Sequence, residues 1–103
     1  MIDVDSMHEA ATAAARLMKA LANADRLMLL CQLSQGEMTV SELESALGIL
    51  QPTLSQQLAV LRDEELVETR REGKYIYYSV HSDTALAVLQ VLYDRFCRKG
   101  SKR

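Results

Sequence analysis

The sequence predicts a mainly helical fold with a β-hairpin set before its last helix, in the order α-α-α-α-β-β-α. Three observations predict it. Apolar residues recur at helical spacing from Met7 to Leu61. Two β-prone runs then flank a glycine turn between Val67 and Val80. From Ser82 the helical period returns. A chain of 103 residues is read as a single domain.

The first helix is expected from a cap at Asp5 or Ser6 to about Ala22. Met7, Ala11, Ala14, Met18 and Leu21 recur along it as a coiled-coil-like seam on an alanine-rich surface. Asn23 supplies a break and a new N-cap. The second helix, Ala24 to about Ser34, is apolar nearly all round and therefore expected to be buried. Gly36 ends the connection that follows it. Thr39 opens the third helix, and Glu42 completes a capping box. Val40, Leu43 and Leu47 make the inner face of this helix, and Gly48 suits its C-terminal end. The fourth helix begins at Pro52, a position that tolerates proline, and ends near Glu65. Its inner stripe is Leu54, Leu58 and Leu61. Val67–Arg71 and Tyr75–Val80 form the hairpin around Glu72-Gly73-Lys74. Ser82 caps a last helix, Asp83 to about Arg98, with a broad apolar face from Ala85 to Phe96. Helices three and four, joined by a tight turn over residues 39–65, make a helix-turn-helix; the hairpin over 67–80 makes a wing. The predicted fold is a winged helix-turn-helix.

Charge is unevenly spread. Residues 1–50 carry −4 and residues 51–103 carry +2, for a total of −2. Local patches set the field that a phosphate backbone meets, so this total neither requires nor excludes DNA. No run of about 18 apolar residues occurs, so no membrane span is expected. The first residues carry acids where a signal peptide needs basic residues, and a cytoplasmic location is expected. Two cysteines are too few for a disulfide-stapled scaffold, and free thiols in a reducing compartment are expected.

With the leucine stripe of the fourth helix turned inward, Pro52, Ser55, Gln56 and Ala59 point outward, with Thr53, Gln57 and Val60 on the flank. This half of the helix is uncharged and rich in amide and hydroxyl groups, suited to base edges and phosphates. Asp63, Glu64 and Glu65 at the other end would repel phosphates, so the N-terminal end is the one expected in a major groove. Residue types alone fit a solvated helix face equally well. The basic cluster Arg70, Arg71 and Lys74 around the hairpin turn favours the DNA reading. The first and last helices, residues 1–22 and 82–98, carry more apolar surface than a four-helix core uses. Packing them against a second copy gives a twofold dimer reading half-sites about one DNA turn apart.

Cys31 sits among leucines and suits plain core packing. Cys97 lies one turn past Tyr93, beside Arg95, Arg98 and Lys99, whose charge lowers a thiol pKa while the helix C-terminus raises it. His8 and His81 have no metal-ligand spacing, so no metal site and no cofactor are expected. No nucleophile–base pair, glycine-rich phosphate loop or carboxylate cluster is present in the sequence, so an enzyme is not expected.

Leu17-Met18-Lys19-Ala20-Leu21-Ala22-Asn23 with Asp25-Arg26-Leu27 resembles the second-helix signature of ArsR/SmtB-type bacterial transcriptional regulators. Gln51-Pro52-Thr53-Leu54-Ser55-Gln56-Gln57-Leu58 followed by Leu61-Arg62, and the wing Arg70-Arg71-Glu72-Gly73-Lys74 with Tyr77-Tyr78-Ser79, match the same family. The resemblance covers roughly residues 13–97. It implies a homodimeric repressor of double-stranded operator DNA, with Gln51, Pro52, Thr53, Ser55, Gln56, Gln57, Arg62, Arg70, Arg71 and Lys74 as the DNA-facing residues. The family's metal sensors carry a Cys-x-Cys motif on the third helix, where this chain has Val40-Ser41-Glu42-Leu43-Glu44-Ser45. Its zinc sensors place Asp and His along the last helix, where this chain has Asp83 and Asp94 and no His. Cys31 and Cys97 instead resemble the pair of the dithiol subgroup that responds to reactive sulfur species. In that subgroup a polysulfide or disulfide bridge weakens DNA binding, and the regulated genes concern sulfide oxidation and detoxification. Two departures stand out: Leu50 where the family commonly has Ser, and Gln57 where it commonly has His. Leu50 cannot cap, so the start of the recognition helix falls to Pro52 and a weak Gln51 cap. Another thiol oxidant or a metal as inducer, and a winged helix that contacts protein instead of DNA, are the alternatives.

Overall fold

The computed structural model describes residues 3–97. Helix α1 (Val4–Leu21) is followed by α2 (Ala24–Leu33), strand β1 (Met38–Thr39), α3 (Val40–Leu47) and α4 (Thr53–Asp63). Then come β2 (Val67–Glu72), β3 (Tyr75–Val80), α5 (Asp83–Leu92) and a π-helical turn over Tyr93–Cys97. This is the winged helix-turn-helix the sequence predicts. The expected end of the last helix at Arg98, and the basic residues after it, lie outside the described residues.

The caps show why the helices start where they do. Asn23 Oδ1 accepts the Arg26 N–H at 3.0 Å, and Ser82 Oγ accepts that of Ala85 at 3.0 Å. Thr39 and Glu42 form the reciprocal box, each side chain accepting the other's backbone N–H. Gly48 ends α3 at φ 72, in the left-handed region where a Cβ is unwelcome. The first helix departs from expectation. Its cap is Asp3, whose carboxylate accepts the Ser6 N–H at 2.7 Å, two or three residues earlier than the sequence suggested. Helix α4 has no side-chain cap at Pro52; Gln51 Oε1 instead accepts the Ser55 N–H at 3.0 Å, the weak cap expected there. At the other end of α4, Glu65 takes φ 60 and the Leu66 N–H returns to the Leu61 carbonyl at 2.9 Å. That closure normally falls to glycine or asparagine.

The wing has three strands, not two. β1 pairs antiparallel with β3 through Met38–Tyr78 and Thr39–Tyr77, giving the order β1-β3-β2. A strand of two residues leaves no period to read, and Thr39 serves at once as sheet partner and helix cap. In the hairpin, Arg70 faces Tyr77 and Arg71 faces Ile76 across the ladder.

The core is leucine packed on leucine. Leu29, Leu30, Leu43, Leu54, Leu58 and Leu61 are sealed from water, joined by Leu33, Ile49, Leu66, Val67, Ala85 and Leu89. Of the α1 seam, Leu21 is buried, whereas Met7, Ala11, Ala14 and Met18 are exposed. Helix α2 is buried on one side, with Met28 exposed. Among the described residues no helix is long and apolar enough to cross a membrane.

Candidate nucleic-acid interface and thiol cavity

With Leu54, Leu58 and Leu61 buried, α4 presents Ser55, Gln56 and Ala59 to solvent, and Gln51 and Pro52 are exposed just ahead of it. Thr53 and Gln57 are half-buried on the flank. A groove of about 540 Å³ runs between this face and the wing, lined by Ser55, Ala59, Arg62, Asp63, Glu65 and Tyr78. Arg62 thus lines a groove whose opposite wall is the sheet. Tyr78 was not among the sequence candidates; its place follows from the strand register, which residue types alone do not give.

The three basic residues of the wing have different surroundings. Arg70 is already engaged: it donates to both carboxylate oxygens of Glu37 at 2.8 and 2.6 Å and to Glu72 at 2.6 Å, and its guanidinium lies 4.6 Å from the Tyr77 ring centroid. Arg70 holds the Glu37 carboxyl below the usual carboxylate range, and the two carboxylates raise the Arg70 guanidinium still further above neutral pH. Glu37 gives no signal in the sequence, since it lies 33 residues from Arg70. Arg71 donates Nε to the Gly73 carbonyl at 3.2 Å and has no carboxylate partner among the described residues. Lys74 lies over the Tyr75 ring, 5.6 Å from its centroid. The cationic surface offered to an anion is therefore Arg71, Lys74 and Arg62 more than Arg70.

Gln57 is also engaged. Its Oε1 accepts from Nη1 of Arg26 at 2.7 Å. The same guanidinium donates to the Ala20 carbonyl at 2.5 Å and the Lys19 carbonyl at 3.3 Å. The lone cation of a mostly apolar helix was the available signal for Arg26.

A second cavity, also of about 540 Å³, opens between α2 and α5. Cys31 and Cys97 both line it, with Ser34, Gln35, Leu86, Leu89, Gln90 and Tyr93. Cys31 is half-buried and Cys97 exposed, and both thiols are free. Burial pushes the Cys31 thiol up, and the nearby Cys97 sulfur adds to the rise. Cys97 ends the π-helical turn, a widened turn of the kind that often marks functional sites. Tyr93 and Cys97, at its two ends, both reach the cavity. Nothing in the sequence period announces that turn. Among the described residues, no three His, Cys, Asp or Glu side chains gather as a metal ion would need.

A three-stranded wing beside a helix-turn-helix with an uncharged outer face defines a winged-helix regulator of the DNA-binding class. The family model of bacterial regulatory proteins of the arsR family matches residues 23–69. The Biofilm growth-associated repressor of Agrobacterium fabrum is 51% identical over 96 residues, which span 93% of this chain and 82% of that protein. The crystal structure of the transcriptional repressor BigR from Xylella fastidiosa superposes with a TM-score of 0.84 at 44% identity, over 98% of this chain and 100% of that one. A homodimeric winged helix-turn-helix DNA-binding domain from Mycobacterium bovis, solved in solution, superposes with a TM-score of 0.75 at 32% identity, over 100% of this chain and 98% of that one. The chain belongs to the arsR family of bacterial regulatory proteins. It is a regulatory protein and not an enzyme.

Proposed function

We propose that this protein represses transcription by binding operator DNA as a homodimer, and that persulfide or polysulfide modification of Cys31 and Cys97 releases it. Genes of the sulfide-detoxification type are the proposed targets. The observation that carries the sensing half is the shared cavity, because two thiols 66 positions apart in sequence line one space between α2 and α5. Repression and dimerisation draw on the names of the relatives above. They also draw on the apolar side chains Met7, Met18, Val91 and Phe96 that α1, α5 and the π-helical turn leave exposed. In this reading Gln51, Pro52, Thr53, Ser55, Gln56, Arg62, Arg71 and Lys74 meet the DNA, with Gln57 and Arg70 set by the protein itself.

The chemistry balances without a further oxidant. Exposed Cys97 takes the outer sulfur of a persulfide, and the donor leaves as its thiol. Cys31 then attacks the Cys97 sulfur and displaces hydrogen sulfide. Two thiols become one disulfide, and the transferred sulfur is reduced to sulfide by the same two electrons. A longer sulfur chain between the two residues follows if the donor carries more sulfur.

Fluorescence anisotropy with a promoter fragment from the protein's own locus tests this, repeated after inorganic polysulfide, disulfide and hydrogen peroxide, with intact mass measured on each sample. The expected result is release by the sulfur donor, with added sulfur or loss of two hydrogens across both thiols. Cys31→Ser and Cys97→Ser should each bind DNA when untreated and fail to release. Retained release in both variants, or full binding with both thiols bridged, overturns the proposal.

A further inference from the structure

We propose that Arg26 is the positioning residue that connects the thiol cavity to the recognition helix, an inference that rests on the thiol switch proposed above. Helix α2 packs against α1, α3, α4, α5 and β3, so it is the element through which a change at α5 can reach α4. Arg26 and Cys31 both belong to α2, five positions apart. That spacing sets them about 140° apart around the helix and about 7.5 Å apart along it. One side chain therefore serves the α5 cavity while the other reaches α4 and the end of α1.

Arg26 bridges three helices with one planar group. Nη1 donates to Gln57 Oε1 on α4, while Nε and Nη2 donate to the Ala20 and Lys19 carbonyls in the last turn of α1. Carbonyls in a last helical turn lack i+4 partners, and Lys19 O otherwise accepts only the Ala22 N–H at 3.3 Å. A fork of fixed geometry serves these carbonyls while reaching a third group. Among the described residues, Arg26–Gln57 is the side-chain hydrogen bond between α2 and α4. Both residues are half-buried, where water competes less for the bond. Gln57 adjoins Gln56 on the outer face, so the contact fixes the rotation of α4 at the point where the helix meets DNA. Bridging Cys31 to Cys97 pulls α2 and the end of α5 together. Arg26 transmits that shift to α4 and, through α1, to the surface proposed to meet the second copy.

The readout is a ratio: the operator dissociation constant after inorganic polysulfide divided by that of the reduced protein, with complete bridging confirmed by intact mass. Wild type should give a ratio of at least about fivefold, while Gln57→Leu and Arg26→Lys should fall to within about twofold of unity. Gln57→Glu keeps an acceptor for Arg26 but adds a negative charge to the helix proposed to lie in the groove, so both its dissociation constants should rise while the ratio stays at the wild-type value. That split separates a positioning role from a DNA contact or a loss of folding. Gln57 lies outside the core, so Gln57→Leu carries the test even where Arg26→Lys unfolds. A wild-type ratio that persists in Gln57→Leu overturns the Arg26 role and leaves the thiol switch standing. Collapse of the ratio in Gln57→Glu also overturns it. A wild-type ratio of unity overturns both.

Discussion

Leu29, Leu30, Leu43, Leu54, Leu58 and Leu61, in the middle of the chain, are sealed from solvent, whereas Met18 near its start keeps 66% of its surface and Phe96 near its end 71%. The middle is complete as a single copy: its leucines close on each other, and its helix caps are made by its own side chains. The ends are not. Helix α1 fully buries only Ala20 and Leu21, and α5 only Ala85 and Leu89; Leu17 and Val88 pack against the core half-buried, while Met7, Met18, Leu86 and Val91 face water. A small domain that leaves this much uncovered gains most from a second copy. One chain thus holds a closed leucine core and two helices whose exposed apolar side chains suit the proposed second copy.

The largest expected effect lies in the middle. Leu30→Ala leaves a cavity in a closed core and should cost about 2–5 kcal/mol, measured by urea denaturation. A loss well under that range would show that the centre, too, relies on a partner. At the ends, Met18→Lys combined with Phe96→Lys should leave the helical circular dichroism intact while sedimentation velocity finds a monomer at micromolar protein. Unfolding of that variant would erase the contrast between middle and ends.

Thr39→Ala tests the boundary between helix and sheet. It removes one half of the capping box and should cost about 1 kcal/mol in denaturant midpoint experiments. Smaller effects sharpen the contrast within the wing. Arg71→Ala should weaken operator binding and lower the salt slope by about one unit. Arg70→Ala should do less, because Glu37 and Glu72 already neutralise that cation; equal losses would mean that Arg70 leaves Glu37 for phosphate. The thiol cavity adds a pH dependence. Cys31 must lose its proton to close the bridge, and burial holds its pKa up, so closure should quicken with rising pH, by about tenfold per unit while the thiol remains mostly protonated. Stopped-flow mass analysis between neutral and mildly alkaline pH reads that slope.

Much of this architecture is legible in the sequence, and the reasons are local. Asn23, Thr39 with Glu42, Gly48 and Ser82 act within four residues of themselves, so their roles show in sequence spacing. The leucine stripe of α4 likewise dictated which side chains face outward. What escaped depends on contacts between distant segments. Arg70 reads as a free cation until Glu37 is brought beside it, and Gln57 reads as a free amide until Arg26 crosses from α2. The strand Met38–Thr39 is too short to show alternation, and the π-helical turn at Tyr93–Cys97 leaves the apolar spacing unchanged. The thiol pair lies between these cases. Each cysteine was visible alone, and their shared cavity is a property of how α2 meets α5.

The third strand has a mechanical consequence. Because Thr39 pairs with Tyr77 in the sheet and also caps α3, the wing is tied at its base to the helix-turn-helix and is expected to move with α3. The tip at Gly73 and the outer face of α4 then keep a fixed mutual bearing, like two prongs of one tool. In the proposed dimer the adjustable quantity is the gap and tilt between two such tools. Sequence preference and spacing preference therefore become separable traits, the first written in α4 and the wing and the second in α1 and α5.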